Sequence, residues 1–324
     1  MSAFHKVLVA LRGAPDEEEY LALARELCPE NGEIRAIHAI DIPRFGIFSQ
    51  DEIRGHERLI RRVADRIEES FRSSFDRLQP DSRSFSGVLV EGRPHEEILR
   101  EAESWNADLI LTGGARHKGL EATALGSEAV ALVEHSRRPV FVAANAHRPK
   151  ILVAPVNFGD LSARGVAMAA DLAEAWGAPL ELVHVSTGSW PLYPEFDAED
   201  WWDTAYAGTG GEPALAEAAR QKLAELAESL RAERGLDVQT KLLGGAVPGY
   251  AIAEHVDTLE EPLVVMGSLG RALTRGAHLG ETARRFLRSS ARPLLTFKTE
   301  AWKPRILDHP RREDFFRREF VIED

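Results

Sequence analysis

Along this chain of 324 residues, hydrophobic and polar positions fall into two alternating patterns. Short apolar runs bounded by glycine, proline or charge occupy residues 6–11, 33–40, 87–90, 109–112 and 140–142. Runs of this length with such boundaries predict buried strands. Between them, apolar residues recur every third or fourth position. Residues 16–27 open with acids and stop before Pro29, and residues 56–78 carry Leu59, Val63, Ile67, Phe71, Phe75 and Leu78. With residues 96–103 and the run after Gly126, these segments predict amphipathic helices. Residues 45–54 show no period and read as a loop. Strand alternating with helix predicts a mostly parallel, open sheet with helices on both faces.

The plan then repeats. KILVA at 150–154 echoes KVLVA at 6–10, an offset of 144, and His184 answers His38 at an offset of 146. LVVMGSLGRALTRGAHLGETARRFL, from residue 263, echoes LILTGGARHKGLEATALGSEAVAL, from residue 109; Gly113 pairs with Gly267 and Gly126 with Gly280, both 154 apart. The chain therefore reads as an internal duplication. The second copy gains length mainly in residues 188–213, which gather Trp190, Tyr193, Phe196, Trp201, Trp202 and Tyr206. This insert reads as an irregular loop whose rings pack on its own domain, or else as a lid or docking surface. A helix is expected over 215–230, with Leu215, Leu223, Leu226 and Leu230 inward, and strands over 238–243, 263–266 and 293–297. The expected domains are 1–144 and 150–299, joined by a short linker ending in Pro149. Residues 300–324 form a tail whose Trp302, Phe316, Phe320 and Val321 argue for packing on a domain or a partner.

Composition narrows the classes. A net charge of -12 argues against a nucleic-acid partner held by a general positive surface. The single cysteine, Cys28, excludes an intramolecular disulfide and a cysteine-cluster metal site. No stretch approaches the 18 apolar residues of a membrane span, and the N-terminus runs straight into a strand. A cytoplasmic, reducing setting is expected.

The chemistry concentrates in the glycine stretches. A strand, a glycine-rich loop and a helix start can turn backbone N–H groups toward an anion. A tight strand-to-helix connection that binds nothing has the same layout. Catalysis has less support. Ser127 has no evident base, the first loop lacks a Walker lysine followed by serine, and Ser268 does not sit in a nucleophile-elbow pattern. His38 and His184 at equivalent strand ends read as packed or hydrogen-bonded residues, while His117 and His278 lie in the two glycine loops. No enzyme activity is expected.

The duplicated unit resembles the universal stress protein (UspA-like) family, and the chain resembles a tandem two-domain member over roughly residues 4–297. The resemblance implies two tandem open, mostly parallel five-stranded sheets with helices on both faces, Rossmann-like and adenine nucleotide alpha hydrolase-like. ATP-binding members carry a glycine, two residues, a glycine, nine residues, then glycine and a hydroxyl residue. Gly267, Gly270 and Gly280 keep this spacing, but Glu281 stands where the hydroxyl is expected. Gly113, Gly126 and Ser127 are kept in the first copy, where Arg116 replaces the middle glycine. The family's adenosine-facing aspartate falls at Arg12 in the first copy and at Val156, or its neighbour Asn157, in the second. Arg271 and Arg275 lie close enough in sequence to offset Glu281. The implied ligand is ATP or another adenine nucleotide, held more readily by the second copy. The alternative is a nucleotide-free scaffold binding a protein partner, a second copy or an apolar ligand. The resemblance also implies that the fifth strands, near 139–142 and 293–297, pair with each other; each would otherwise be an apolar sheet edge.

Overall fold

The computed structural model describes residues 4–12, 17–41, 49–77, 82–114, 126–143, 147–187, 211–268, 279–299 and 316–322. The chain divides into two compact units, Met1–Arg148 with Pro293–Asp324, and Pro149–Arg292.

In the first unit the strands are β1 (Lys6–Ala10), β2 (Glu33–Ile40), β3 (Ser84–Glu91), β4 (Leu109–Gly113) and β5 (Val140–Ala143). They are parallel and lie in the order β3-β2-β1-β4-β5, so the first strand is central, as its unbroken apolar run requires. Helices α1 (Glu17–Leu27), α2 (Gln50–Arg77), α3 (Pro94–Ser104) and α4 (Ser127–His135) connect them. α1 packs on α2, and α3 on α4, as right-handed crossovers from a central strand dictate. Leu8, Ile34, Ile37, Leu89, Leu109 and Phe141 are fully buried in the resulting core.

The expected five strands become seven. β10 (Leu294–Phe297), the last strand of the second repeat, joins this unit and runs antiparallel to β5, with Leu294 opposite Val142 and Leu295 opposite Phe141. β11 (Arg317–Ile322), from the C-terminal tail, runs antiparallel to β3 with Phe320 opposite Gly87. The physical reason is the same at both ends. β3 and β5 each end the parallel block with a row of unpaired backbone groups, and a strand from elsewhere in the chain satisfies them.

The second unit holds β6 (Ile151–Pro155), β7 (Leu180–Ser186), β8 (Val238–Gly244) and β9 (Pro262–Gly267), four rather than five strands, parallel and in the order β9-β6-β7-β8. Its helices are α5 (Asp160–Trp176), α6 (Gly211–Arg234), α7 (Pro248–Asp257) and α8 (Glu281–Ser289). α5 stops at Gly177, whose φ of 60° is a left-handed cap that a side chain would resist.

Three local readings need correction. α2 begins at Gln50, inside the segment expected to be a loop, because Ser49 and Glu52 form a reciprocal cap: the Glu52 N–H donates to Ser49 Oγ (3.2 Å) and the Ser49 N–H to the Glu52 carboxylate (2.8 Å). The buried stripe of α2 runs through Ile60, Ala64, Phe71 and Phe75, while Leu59, expected inward, is 47% exposed. On α6 Leu223 and Leu230 face the core, but Leu215, one turn from the helix start, is 71% exposed. Of the aromatic insert, expected over residues 188–213, residues 188–210 lie outside the described residues and 211–213 begin α6; most of the tail also lies outside them.

Candidate functional site

In an open parallel sheet, ligands bind beyond the carboxyl ends of the strands, where neighbouring connections leave in opposite directions. That point lies between β6 and β9 in the second unit and between β1 and β4 in the first.

In the second unit, Asn157 follows the end of β6 and Gly267 is the last residue of β9. Asn157 is exposed, and its Oδ1 accepts the N–H of Gly159 at 3.1 Å, closing a turn around Phe158. Phe158 has a φ of 58°, unusual for a bulky residue, and its ring lies 4.9 Å from that of His184. Nδ1 of His184 donates to the carbonyl of Val156 at 2.7 Å, fixing the loop after β6. Gly267 packs tightly against Leu161 of α5: a Cβ at 267 would overlap the Leu161 side chain, so this glycine serves helix-to-strand approach. The N–H of Gly280 donates to the carbonyl of Ser268 at 2.5 Å, which holds the start of α8 beside the end of β9. Gly280 is the extended N-cap of α8 and brings no capping side chain. Glu281, the first helical residue, pairs with Arg285 (2.7 Å) and Arg284 (3.7 Å) on its own helix, an acid near the positive end of the dipole. Gly270, Arg271, Arg275 and His278 lie outside the described residues.

The first unit ties the end of its fourth strand differently. Gly113 ends β4 and Gly126 is the extended N-cap of α4, again without a capping side chain; Ser127, the first helical residue, is exposed. Nη2 of Arg12 crosses from the end of β1 and donates to the carbonyl of Gly114 at 2.6 Å. The same nitrogen and the Tyr20 hydroxyl each lie 2.8 Å from where a Cβ on Gly113 would stand. The N–H of Gly114 donates to the carbonyl of Ala143 at 2.9 Å. Both backbone groups of Gly114 are thus used within the protein. His38 donates through Nδ1 to the carbonyl of Leu11 at 3.1 Å, the counterpart of His184; burial holds its pKa below the ordinary value, and the Leu11 carbonyl offsets this in part. Arg116 and His117 lie outside the described residues.

Sequence spacing located Gly113, Gly126, Gly267 and Gly280 at strand ends and helix starts, but gave no sign of Tyr20 or Leu161. Their role comes from packing α1 and α5 onto the sheet, which no local pattern encodes. Among the described residues no group of histidine, cysteine, aspartate and glutamate could hold a metal ion, and no helix is long and apolar enough to cross a membrane.

Two mostly parallel α/β units, each passing from its fourth strand through a glycine-bearing stretch into a helix, repeat one architecture. Residues 3–144 and 148–298 match the universal stress protein family, and the chain belongs to that family with two domains in tandem. Family members are in general non-catalytic, nucleotide-binding or regulatory proteins. A universal stress protein of Methanocaldococcus jannaschii is 26% identical over 159 residues, 46% of this chain and 82% of its own length. A universal stress protein structure from Archaeoglobus fulgidus covers 90% of this chain and 96% of its own at 21% identity, with a TM-score of 0.55. A functionally unknown protein from Pseudomonas aeruginosa covers 92% and 94% at 17% identity, also with a TM-score of 0.55. Both structures share the fold.

Proposed function

We propose that this is a universal-stress-type regulatory protein whose second domain holds an adenine nucleotide, ATP in the first instance, at the carboxyl ends of β6 and β9. Asn157, Gly267, Gly270, Arg271 and Gly280 are the residues assigned to that site. The observation that carries the reading is the Gly280 to Ser268 hydrogen bond, which sets the first turn of α8 beside the strand ends with no capping side chain on its N–H groups. Orphan donors at a helix start suit a phosphate. The Gly267, Gly270, Gly280 spacing is the family's nucleotide pattern. A reducing, cytoplasmic setting belongs to the same reading; the one cysteine, Cys28, is buried with its thiol toward the His5 carbonyl.

A nucleotide-free scaffold is the second reading, and two observations favour it. Leu161 fills the space over Gly267, and Glu281 places a carboxylate where a phosphate would come. Two measurements separate the readings. Protein purified under native conditions and then denatured should release ATP, ADP or AMP into the supernatant. Isothermal titration with ATP should show binding that Gly270→Trp abolishes in a folded protein. Empty supernatant together with no titratable binding would leave the scaffold.

A further inference from the structure

We infer that Arg12 is the residue that closes the first domain to nucleotide, and so sets which half of the chain is loaded. This rests on the reading that the second domain binds an adenine nucleotide.

Arg12 leaves the end of β1 and reaches the end of β4, across the crevice where the two connections diverge. Its Nη2 donates to the carbonyl of Gly114 at 2.6 Å, a short charge-assisted bond. The guanidinium then occupies the space over Gly113 together with the Tyr20 hydroxyl. The Tyr20 hydroxyl in turn lies 3.5 Å from the carbonyl of Ala143, so α1, β1, β4 and β5 are joined at this point.

The second copy performs the same closure without a side chain. Ser268 occupies the position of Gly114 at the offset of 154, and its carbonyl accepts the N–H of Gly280 from the helix start. The carbonyl after the fourth strand is therefore taken by the glycine N-cap in one domain and by Arg12 in the other. In the first arrangement the end of β9 is tied to the helix start, and the backbone turn at Asn157 follows β6. In the second, a planar cation lies in the mouth itself. A nucleoside entering between β1 and β4 must break the Arg12 to Gly114 bond and displace the guanidinium from Gly113. In the second copy His184 bonds the Val156 carbonyl as His38 bonds that of Leu11, so Asn157 stands where Arg12 does, and its short side chain turns back onto the N–H of Gly159.

The test is the number of ATP molecules bound per chain, read by isothermal titration on four full-length proteins. These are the wild type, Arg12→Ala, Gly270→Trp, and the double variant. Arg12→Met, which keeps the length of the stem without its donors, repeats the measurement should Arg12→Ala fold poorly. The expected result is one ATP in the wild type, none in Gly270→Trp, two in Arg12→Ala and one in the double variant. Arg12→Ala binding a single ATP that is lost in the double variant overturns the latch and leaves the second-domain site standing. No binding in the wild type with one ATP in Arg12→Ala supports the latch and overturns the second-domain reading. No binding in any protein overturns both.

Discussion

Phe320 of β11 lies across Gly87 of β3, in the space that a side chain at 87 would need. The ring is 8% exposed, sits 6.2 Å from the ring of Phe71 on α2, and carries the Arg72 guanidinium 5.2 Å from its centroid. A glycine in a strand loses side-chain packing, and an aromatic residue directly opposite restores it. The tail strand is thus seated by a knob and a matching vacancy as well as by backbone pairing. Gly87→Ala should overpack this seat at a cost of about 1–3 kcal/mol. Hydrogen exchange of residues 319–321 should speed up in Gly87→Ala, and adding Phe320→Ala to that variant should remove the penalty of the extra methyl group. Equal exchange in wild type and Gly87→Ala would show that the ring moves aside freely.

Glu101 ties the same tail to the body of the first unit by charge. Its side chain is 1% exposed and receives Arg35 at 2.8 Å and Arg317 of β11 at 2.7 Å. Burial pushes its pKa up, but the hydrogen bonds and charges of Arg317 and Arg35 outweigh this and hold the carboxyl below its ordinary value. A carboxylate with a depressed folded pKa stabilises above its unfolded pKa, and that contribution is lost as pH falls through the folded pKa. The attachment of β11 should therefore weaken only in acid, below the ordinary glutamate range. Glu101→Gln should loosen it at neutral pH by about 1–3 kcal/mol, since two half-buried arginines lose a charged hydrogen-bond partner. Limited proteolysis between pH 3 and pH 7 would show the release of the tail; a tail equally protected in Glu101→Gln would assign its seating to Phe320, the strand pairing and the Arg318 ion pairs instead.

The cap at the start of α2 offers a local test. Ser49→Ala removes the acceptor for the Glu52 N–H while leaving the backbone intact. Urea unfolding should show a loss of about 1 kcal/mol. An unchanged midpoint would mean that the first turn of this helix contributes nothing to the cooperative unit.

The ends of β2 at Glu33 and Ile40 were legible in the apolar run, whereas the cap at Ser49-x-x-Glu52 was passed over, because residues 45–54 show no hydrophobic period and read as a loop. The stripe on α2 was harder to read. Leu59 and Ile60 are adjacent, both fit a three-or-four spacing, and only the direction of the sheet decides that Ile60 is buried. β11 was not legible as a strand, because Arg317, Arg318 and Glu319 carry no strand pattern until Glu101, Asp65 and Glu68 are brought beside them. The glycine loops announced their strand ends. What covers those ends, Arg12 with Tyr20 in one unit and Leu161 in the other, depends on helix packing between residues far apart in the chain.

Lys298 gives the last prediction. It follows β10, is 4% exposed, and its Nζ donates to the carbonyls of Val133 (2.7 Å), Glu134 (2.7 Å) and Ser136 (3.0 Å) at the end of α4. An ammonium has three donors, and these carbonyls sit at the negative end of the helix dipole. Burial nevertheless lowers its pKa from 10.5 to about 7, with the Glu134 charge opposing the shift. Between those two values the unfolded chain carries a proton on this lysine that the folded chain has given up. Stability must then rise with pH across that window, and the contribution is flat below it. In Lys298→Met the rise should be absent at every pH. Urea midpoints of the two proteins at pH 7, 8, 9 and 10 should therefore move apart in favour of the wild type, by up to about 1.4 kcal/mol per pH unit. A constant gap between the two curves would mean that the three carbonyls and the helix dipole keep the ammonium charged despite its burial.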